Sequence, residues 1–137
     1  MAATGAGLPL TNPVYGAGHK AAEKIKICVF SKHLQWLDYR GMAETAAEIG
    51  FDGVALTVRA TGHVLPERVE EDMPRAVEAV NKAGLKVYTM TTRINDPEDG
   101  YTERILKTAS ELGVKYYRMG AFRYDDAILW ILKIHAG

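Results

Sequence analysis

The sequence predicts an α/β protein built from parallel βα repeats, and two observations lead to that prediction. One pattern occurs three times: the end of a helix, a glycine, an apolar residue, and then a β-branched or aromatic run. The glycines Gly50, Gly84 and Gly113 stand 34 and 29 residues apart, which is the spacing of a strand followed by a helix. The runs after them are too apolar for strands with one face in water, so they indicate a buried parallel sheet.

Composition limits the classes of function. The chain has 137 residues, of which 47% are hydrophobic and 25% charged, and this supports one core and at most one domain. Seventeen basic residues balance seventeen acidic ones, so no overall field attracts nucleic acid or an anionic membrane, and we expect neither as a partner. The single cysteine, Cys28, excludes an internal disulfide, and its apolar surroundings in the sequence predict a buried, unreactive thiol.

The first 22 residues differ in composition from the rest of the chain. They are rich in Ala, Gly, Thr and Pro and show no apolar periodicity. We interpret residues 1–22 as either a disordered tail or the remnant of an export signal that lacks its positively charged start. The predicted domain is residues 23–137. If a signal start lies upstream, we expect the protein to be exported to the periplasm, and otherwise to be cytoplasmic.

Four parallel strands are predicted in the spatial order 1-2-3-4, with right-handed helical crossovers on one face. They span residues 24–30, 54–58, 86–90 and 115–119. Before the second strand, Asp38 is placed to cap a helix whose inner face would use Met42, Ala46 and Ile49, and Gly50 would end that helix.

Prolines divide the next helical region. Pro66 opens a short helix, and Pro74 predicts a break near Asp72, because proline in a helix interior removes a hydrogen bond. Asp72 would then cap a second helix that runs to Ala83. A third helix is predicted at residues 101–112. The run 127–134 begins a fourth helix but is apolar almost all round, unlike an amphipathic surface helix.

Candidate binding residues follow the strands. In parallel α/β architectures the carboxyl ends of the strands form the ligand face, because several loops converge there. Cations outnumber carboxylates in these loops, which suits an anionic or polyhydroxylated ligand, although such cations also commonly bridge loop carbonyls. Arg59 and His63 are favoured because a glycine-hinged loop places both over one strand end. The candidate substrate-binding residues are Lys32, His33, Arg59, His63, Thr91 and Arg118.

No complete catalytic group is found in the sequence. The histidines His19, His33, His63 and His135 show no metal-ligand spacing, so no metal ligand is assigned. There is no Gly-x-Ser-x-Gly motif and no glycine-rich phosphate loop after a strand. The sequence therefore predicts half of a binding site, and it assigns no catalytic residue.

Four segments together resemble a known family. Residues 30–37, 50–59, 62–67 and 112–118 resemble the opening half of the sugar phosphate isomerase/epimerase family, the xylose isomerase-like TIM barrels, and the resemblance covers about residues 25–126. Bacterial members often carry an export signal whose end is similar to residues 1–17. The resemblance implies a sugar or sugar phosphate as substrate. It also implies a divalent metal (Mn, Mg or Zn), held by Glu, Asp and His side chains, that helps to move protons between adjacent sugar carbons.

This sequence departs from the family in one respect. The family's metal ligands come mainly from the later strands, and a full (β/α)₈ barrel needs about 250 residues. We therefore expect the chain to form the first four units of a truncated TIM barrel. By resemblance it would be an isomerase, but we expect this half to be inactive alone and to hold no cofactor of its own.

Two other functions stay open at this point. One is a noncatalytic half-barrel that binds a partner or forms a homodimer through open barrel edges. The other is the related fold of a metal-dependent abasic-site endonuclease, which the zero net charge and the lack of interleaved basic and aromatic residues disfavour.

Overall fold

A computed structural model describes residues 24–121 as one parallel sheet with helices packed against one of its faces. The strands are β1 (Cys28–Phe30), β2 (Gly53–Thr57), β3 (Lys86–Thr91) and β4 (Tyr116–Arg118). Their order is β1-β2-β3-β4 and every neighbouring pair is parallel. The α/β class and the strand order predicted from the sequence are confirmed. The predictions for residues 1–22 and for a fourth helix at 127–134 lie outside the described residues.

Three α-helices connect the strands, with a short 3₁₀-helix before each of the first two. The α-helices are α1 (Tyr39–Ile49), α2 (Val69–Lys82) and α3 (Thr102–Glu111), and the 3₁₀-helices are Ser31–Leu34 and Pro66–Arg68. Asp38 caps α1 as predicted, because its side chain accepts a hydrogen bond from the Gly41 N–H at 2.7 Å. None of these helices is both long and apolar enough to cross a membrane.

The repeated glycines end the helical turns. Gly50, Gly84 and Gly113 have φ angles of 95°, 79° and 76°. At Gly50 the left-handed conformation lets the backbone N–H bond back to the carbonyls of Ala46 and Ala47, which closes α1. The repeated glycines in the sequence thus reflect the positive φ angle that the backbone adopts at these three positions.

The hydrophobic core lies between the sheet and the helices. Val54, Leu56 and Met90 are almost fully buried against helix residues such as Met42 and Met73. The alternate positions on the strands, including Phe30, Ala55 and Thr89, are only half-buried. Because strand side chains alternate between faces, the helices cover one face of the sheet and none described at residues 24–121 covers the other.

The first strand is shorter than predicted. Ile27 pairs with Asp52 instead of with a neighbouring strand: its N–H donates to Asp52 Oδ2 at 3.0 Å, and its carbonyl accepts from the Asp52 N–H at 2.8 Å. The hydrogen bond from Ile27 lowers the pKa of Asp52, with the nearby lysines Lys24 and Lys26 adding to the effect. The prediction of a strand at 24–27 is wrong because a side chain competes for the backbone there.

Two further predictions are wrong at this end of the sheet. Ile49 is 62% exposed and does not belong to the inner face of α1, whereas Met42 and Ala46 are fully buried there as predicted. Cys28 opens β1 and is only half-buried on the face without helices. Burial raises the pKa of the Cys28 thiol, with Asp52 as a second cause, so the group stays protonated near neutral pH.

The predicted break near Asp72 is also wrong. Helix α2 is continuous and contains Pro74 in its second turn, where one backbone hydrogen bond is lost. Asp72 does not cap it, because both its carboxylate oxygens accept hydrogen bonds from the Arg68 guanidinium, at 2.7 and 3.1 Å. This pairing lowers the pKa of Asp72 and joins α2 to the 3₁₀-helix before it.

Candidate functional site

The loop after β2 folds back tightly over the carboxyl end of its strand. Val58 and Val64 form a parallel bridge, the Val64 N–H donates to the Thr57 carbonyl at 3.1 Å, and the Arg59 N–H donates to the Val64 carbonyl at 3.0 Å. A Cβ at Gly62 would lie 2.9 Å from the carbonyl oxygens of both Arg59 and Thr57. Only glycine fits this turn, which fixes the positions of Arg59 and His63.

A buried polar network joins the ends of β1 and β2. Ser31 and Thr57 are both fully buried, and their side-chain oxygens lie 3.0 Å apart. Ser31 Oγ accepts from the Thr57 N–H at 2.9 Å, and Thr57 Oγ1 accepts from the His63 N–H at 2.9 Å. His63 Nδ1 lies 3.5 Å from the same hydroxyl. His63 is therefore held by the network, and Tyr39 adds a hydrogen bond to its carbonyl at 3.1 Å.

The His63 ring is partly desolvated. Nε2 is buried and makes no hydrogen bond to any residue of 24–121. Burial lowers the pKa of His63, and the nearby backbone carbonyls of Leu37 and Leu34 oppose that shift only in part. The ring is therefore neutral at physiological pH and is suited to hydrogen bonding, not to binding an anion as a cation.

Arg59 faces away from this network into a cavity of about 150 Å³. The cavity lies between the loops that follow β2 and β3 and the first turn of α3. Its apolar wall consists of Val58, Ala60, Pro66, Ile94 and Ile105. Its polar lining consists of Arg59, Arg93, Asn95, Asp99, Tyr101 and Thr102. Arg59 Nε is buried and has no hydrogen-bond partner within the described range.

The charged side chains divide by position in the fold. On the helices, the arginines are paired with carboxylates: Arg40 with Glu44 at 2.7 Å, Arg75 with Glu71 at 3.2 Å, and Arg104 with Glu70 at 2.7 Å. At the carboxyl ends of the strands, the cations form no ion pair with any carboxylate of residues 24–121. These cations are Lys32, Arg59, Arg93 and Arg118. Four of the seven Lys and Arg side chains that form no ion pair within residues 24–121 thus lie on the edge where the sequence places a ligand, and the other three are Lys86, Lys107 and Lys115.

The six candidate residues share this edge without forming one pocket. Arg59 alone lines the cavity, while His63 belongs to the buried network. Lys32 and His33 are exposed on the 3₁₀-helix after β1, where His33 packs edge-on against Phe30 with ring centroids 5.8 Å apart. Thr91 is buried at the end of β3, and Arg118 is exposed on β4.

Sequence reasoning missed the residues that organise this edge. Ser31 and Thr57 are hydroxyl residues at the end of apolar runs, and that position is the signal that could have singled them out. Asn95 and Asp99 are turn-forming residue types, and nothing in the sequence distinguishes them from their neighbours in the loop. Both line the cavity and form other hydrogen bonds: Asn95 Nδ2 donates to the carbonyl of Ala121, beyond β4, at 3.3 Å, and Asp99 Oδ1 accepts from the Tyr101 N–H in its own loop at 2.9 Å.

Within residues 24–121, no three His, Cys, Asp or Glu side chains come together in a group that could hold a metal ion. Several carboxylates of the helices, such as Glu70, Asp72 and Glu78, are engaged with arginines or lysines, and hard cations need several oxygen ligands in one place.

Fold and site together define the class of this protein as a parallel βα-repeat protein with a cationic face at the carboxyl ends of its strands. Compared with known proteins, the chain matches no family model, and no curated protein matches it significantly.

Proposed function

We propose that this chain is the amino-terminal half of a (β/α)₈ barrel of the sugar phosphate isomerase/epimerase type, and that its strand ends bind part of a sugar or sugar phosphate. The observation that carries the proposal is the unpaired cationic edge. Lys32, Arg59 and Arg118 follow three different strands, and the same edge is the ligand face of βα barrels. Guanidinium and ammonium groups satisfy both hydroxyl and phosphate oxygens.

The architecture favours a barrel and not a doubly wound sheet. Consecutive strands neighbour each other and the helices cover one face, whereas a doubly wound sheet reverses its strand order and has helices on both faces. The opposite face carries half-buried side chains such as Phe30, Ala55 and Thr89. In a closed barrel these positions would point into the interior and would be filled from the remaining strands.

The role proposed for this half is to bind and orient the substrate. His63 would act indirectly: its neutral, half-buried ring and its backbone N–H are held by Thr57, and this contact fixes the loop that presents Arg59. The exposed side chains of Lys32, His33 and Arg118 would contact hydroxyl or phosphate oxygens, with Thr91 beneath them. The base for proton transfer next to a carbonyl, and the divalent metal (Mn, Mg or Zn) expected of the whole barrel, would be held by the other half.

Sugar binding can be tested with a matched charge control. We expect free and phosphorylated pentoses or hexoses to shift backbone amide NMR signals at residues 31–34, 57–63 and 118. Lys32→Gln and Arg118→Gln should each weaken these shifts. Lys86→Gln removes the same charge at the amino end of β3 and should leave them unchanged. Equal effects of all three substitutions, or no shift with any sugar, would contradict the proposal.

A specific observation favours a second function, self-association as a noncatalytic half-barrel. Tyr116 is 71% exposed and Met119 44% exposed on or beside the edge strand β4, whose second edge has no described partner. Such an edge invites pairing with another chain. Light scattering with a hydrophobic dye tests this: a dimer that excludes the dye supports self-association, and a monomer that binds no dye at high concentration contradicts it.

A further inference from the structure

The cavity beside Arg59 combines two features that point to a ligand of its own. Its walls are apolar on the side of the core, where Val58, Ile94 and Ile105 exclude water and strengthen electrostatic interactions. Its charged lining residues are two arginines, Arg59 and Arg93, from the loops after neighbouring strands, and one carboxylate residue, Asp99. We infer that this cavity binds the phosphate group of a small molecule.

The two arginines are the uncommitted donors of the lining. Neither forms an ion pair or a side-chain hydrogen bond with another residue in the range 24–121, and Arg59 Nε is buried without a partner. A buried N–H without an acceptor is costly, so an anion that accepts from Arg59 Nε would bind with a net gain. Arg104 starts nearby on α3, but its guanidinium bonds to Glu70 and lies over the Tyr101 ring at 5.7 Å.

Two other polar residues of the lining, Asp99 and Thr102, are engaged in shaping the loop. Asp99 Oδ1 accepts from the Tyr101 N–H, and its carbonyl accepts from the Thr102 N–H at 3.0 Å. Thr102 Oγ1 donates to the Asp96 carbonyl at 2.8 Å. These bonds hold the Asp99 carboxylate in the turn, where it pairs with neither arginine. The cavity is thus preformed, and preorganisation reduces the entropy cost of binding.

The volume of the cavity and the number of arginines in its lining indicate the class of ligand. A cavity of about 150 Å³ is too small for a nucleotide or a whole drug-sized molecule, which need about 300 Å³ or more. One guanidinium fork saturates the two oxygens of a carboxylate, whereas the three terminal oxygens of a phosphate can accept from two forks. Inorganic phosphate and the phosphate of a small ester share this chemistry.

The test is calorimetric titration of the full chain with inorganic phosphate, glycerol 3-phosphate, glycerol and acetate. Saturable binding of either phosphate compound, with none of glycerol and weaker binding of acetate, is the expected result. Binding of the ester alone identifies an organic phosphate as the ligand, and binding of inorganic phosphate with equal affinity identifies the free anion. Absence of saturation with both at about 10 mM overturns the inference.

Two substitutions locate the site. Arg59→Met keeps the apolar stem and removes the buried guanidinium, and Arg93→Gln acts at an exposed position where folding is not at risk. Each should weaken phosphate binding about tenfold or more, because each removes charge-assisted hydrogen bonds. Lys107→Gln removes one positive charge from the exposed surface of α3 and is the matched control. Equal weakening by all three variants would mean nonspecific charge attraction and would overturn the inference.

This inference does not rest on the proposed sugar function. A chain that binds inorganic phosphate through Arg59 and Arg93, but shifts no signals near Lys32 and Arg118 with any sugar, supports the cavity and contradicts the sugar site. A chain that shows sugar-dependent shifts near Lys32 and Arg118 but binds no phosphate would support the sugar site and contradict the cavity.

Discussion

Ser31 Oγ and Thr57 Oγ1 lie 3.0 Å apart in the core, although the two residues are 26 positions apart in the chain. This contact ties the end of β1 to the end of β2, and through Thr57 it also fixes the backbone of His63. Both hydroxyls are fully buried, and both find their hydrogen-bond partners within this network, which also includes the Thr57 N–H and the His63 N–H. The polar contact between Ser31 and Thr57 inside the protein thus fixes the position of the candidate ligand face.

Thr57→Val should destabilise the protein by about 2 kcal/mol, because it leaves the buried His63 N–H without its acceptor and the Ser31 hydroxyl with only the backbone N–H of residue 57 as a partner. Urea denaturation followed by circular dichroism measures the change. Thr57→Ser keeps the hydroxyl and loses only a methyl group, so it should cost about 1 kcal/mol. A larger loss in the serine variant would show that packing of the methyl group matters more than the network.

Stability should fall as pH decreases through about 6.5, because of His63. Burial lowers its folded pKa below the ordinary value of 6.5, so the unfolded chain binds the proton more readily and the free energy of unfolding rises with pH in that window. The slope from one histidine is at most about 1.4 kcal/mol per pH unit. Urea midpoints between pH 5 and 8 measure it.

The control for this pH dependence is a comparison of two histidine variants. His63→Gln should flatten the dependence between pH 5.5 and 7, whereas His33→Gln, at an exposed site on the neighbouring loop, should retain it. An unchanged slope in His63→Gln would assign the effect to another group. The carboxylates Asp52 and Asp72, whose pKa values are lowered, lose their contribution only at more acidic pH.

Gly53→Ala should be far more damaging than Gly50→Ala. An alanine Cβ at Gly53 would collide with the Lys86 carbonyl and lie 2.7 Å from Tyr88 Cε2, at the irregular part of the β2–β3 ladder. We expect a loss of about 3 kcal/mol or more. At Gly50 a Cβ meets nothing, and the cost of its φ of 95° is about 1–2 kcal/mol. Thermal unfolding compares the two, and similar melting temperatures would contradict this account of β2.

The chain alone should bind no divalent metal tightly and should not isomerise a sugar, whereas a version extended by four more βα units should do both. Proton transfer beside a carbonyl needs a base of suitable pKa and a stabiliser of the developing charge, and the described residues assemble neither. Calorimetry with Mn²⁺ or Mg²⁺ and a deuterium-exchange assay on a panel of ketoses provide the measurement. Stoichiometric metal binding with exchange above the buffer rate would show that this half contains a complete site.

The order of the sheet and the ends of the helices could be predicted from the sequence because they depend on local chemistry. A glycine after a helical turn and an apolar run after the glycine act within a few residues, so Gly50, Gly84 and Gly113 mark the repeat wherever the rest of the chain lies. The predictions that were wrong involve side chains that compete for the same hydrogen-bonding groups, which the apolar pattern does not show. Asp52, from the start of the β2 region, binds the Ile27 backbone, and Arg68, one helical turn before Asp72, binds the carboxylate that was predicted to cap a helix.

The sequence by itself determined that cations gather at the carboxyl ends of the strands, since those positions follow from where each strand stops. Only the tertiary structure decided which cation faces which neighbour. Arg59 and His63 are four residues apart in one loop, yet one lines a cavity with Arg93 and the other joins Ser31 and Thr57. The reason is that the turn around Gly62 separates them, and the neighbours of each include a residue from a distant segment: Ser31, after β1, near His63, and Arg93, after β3, in the cavity with Arg59.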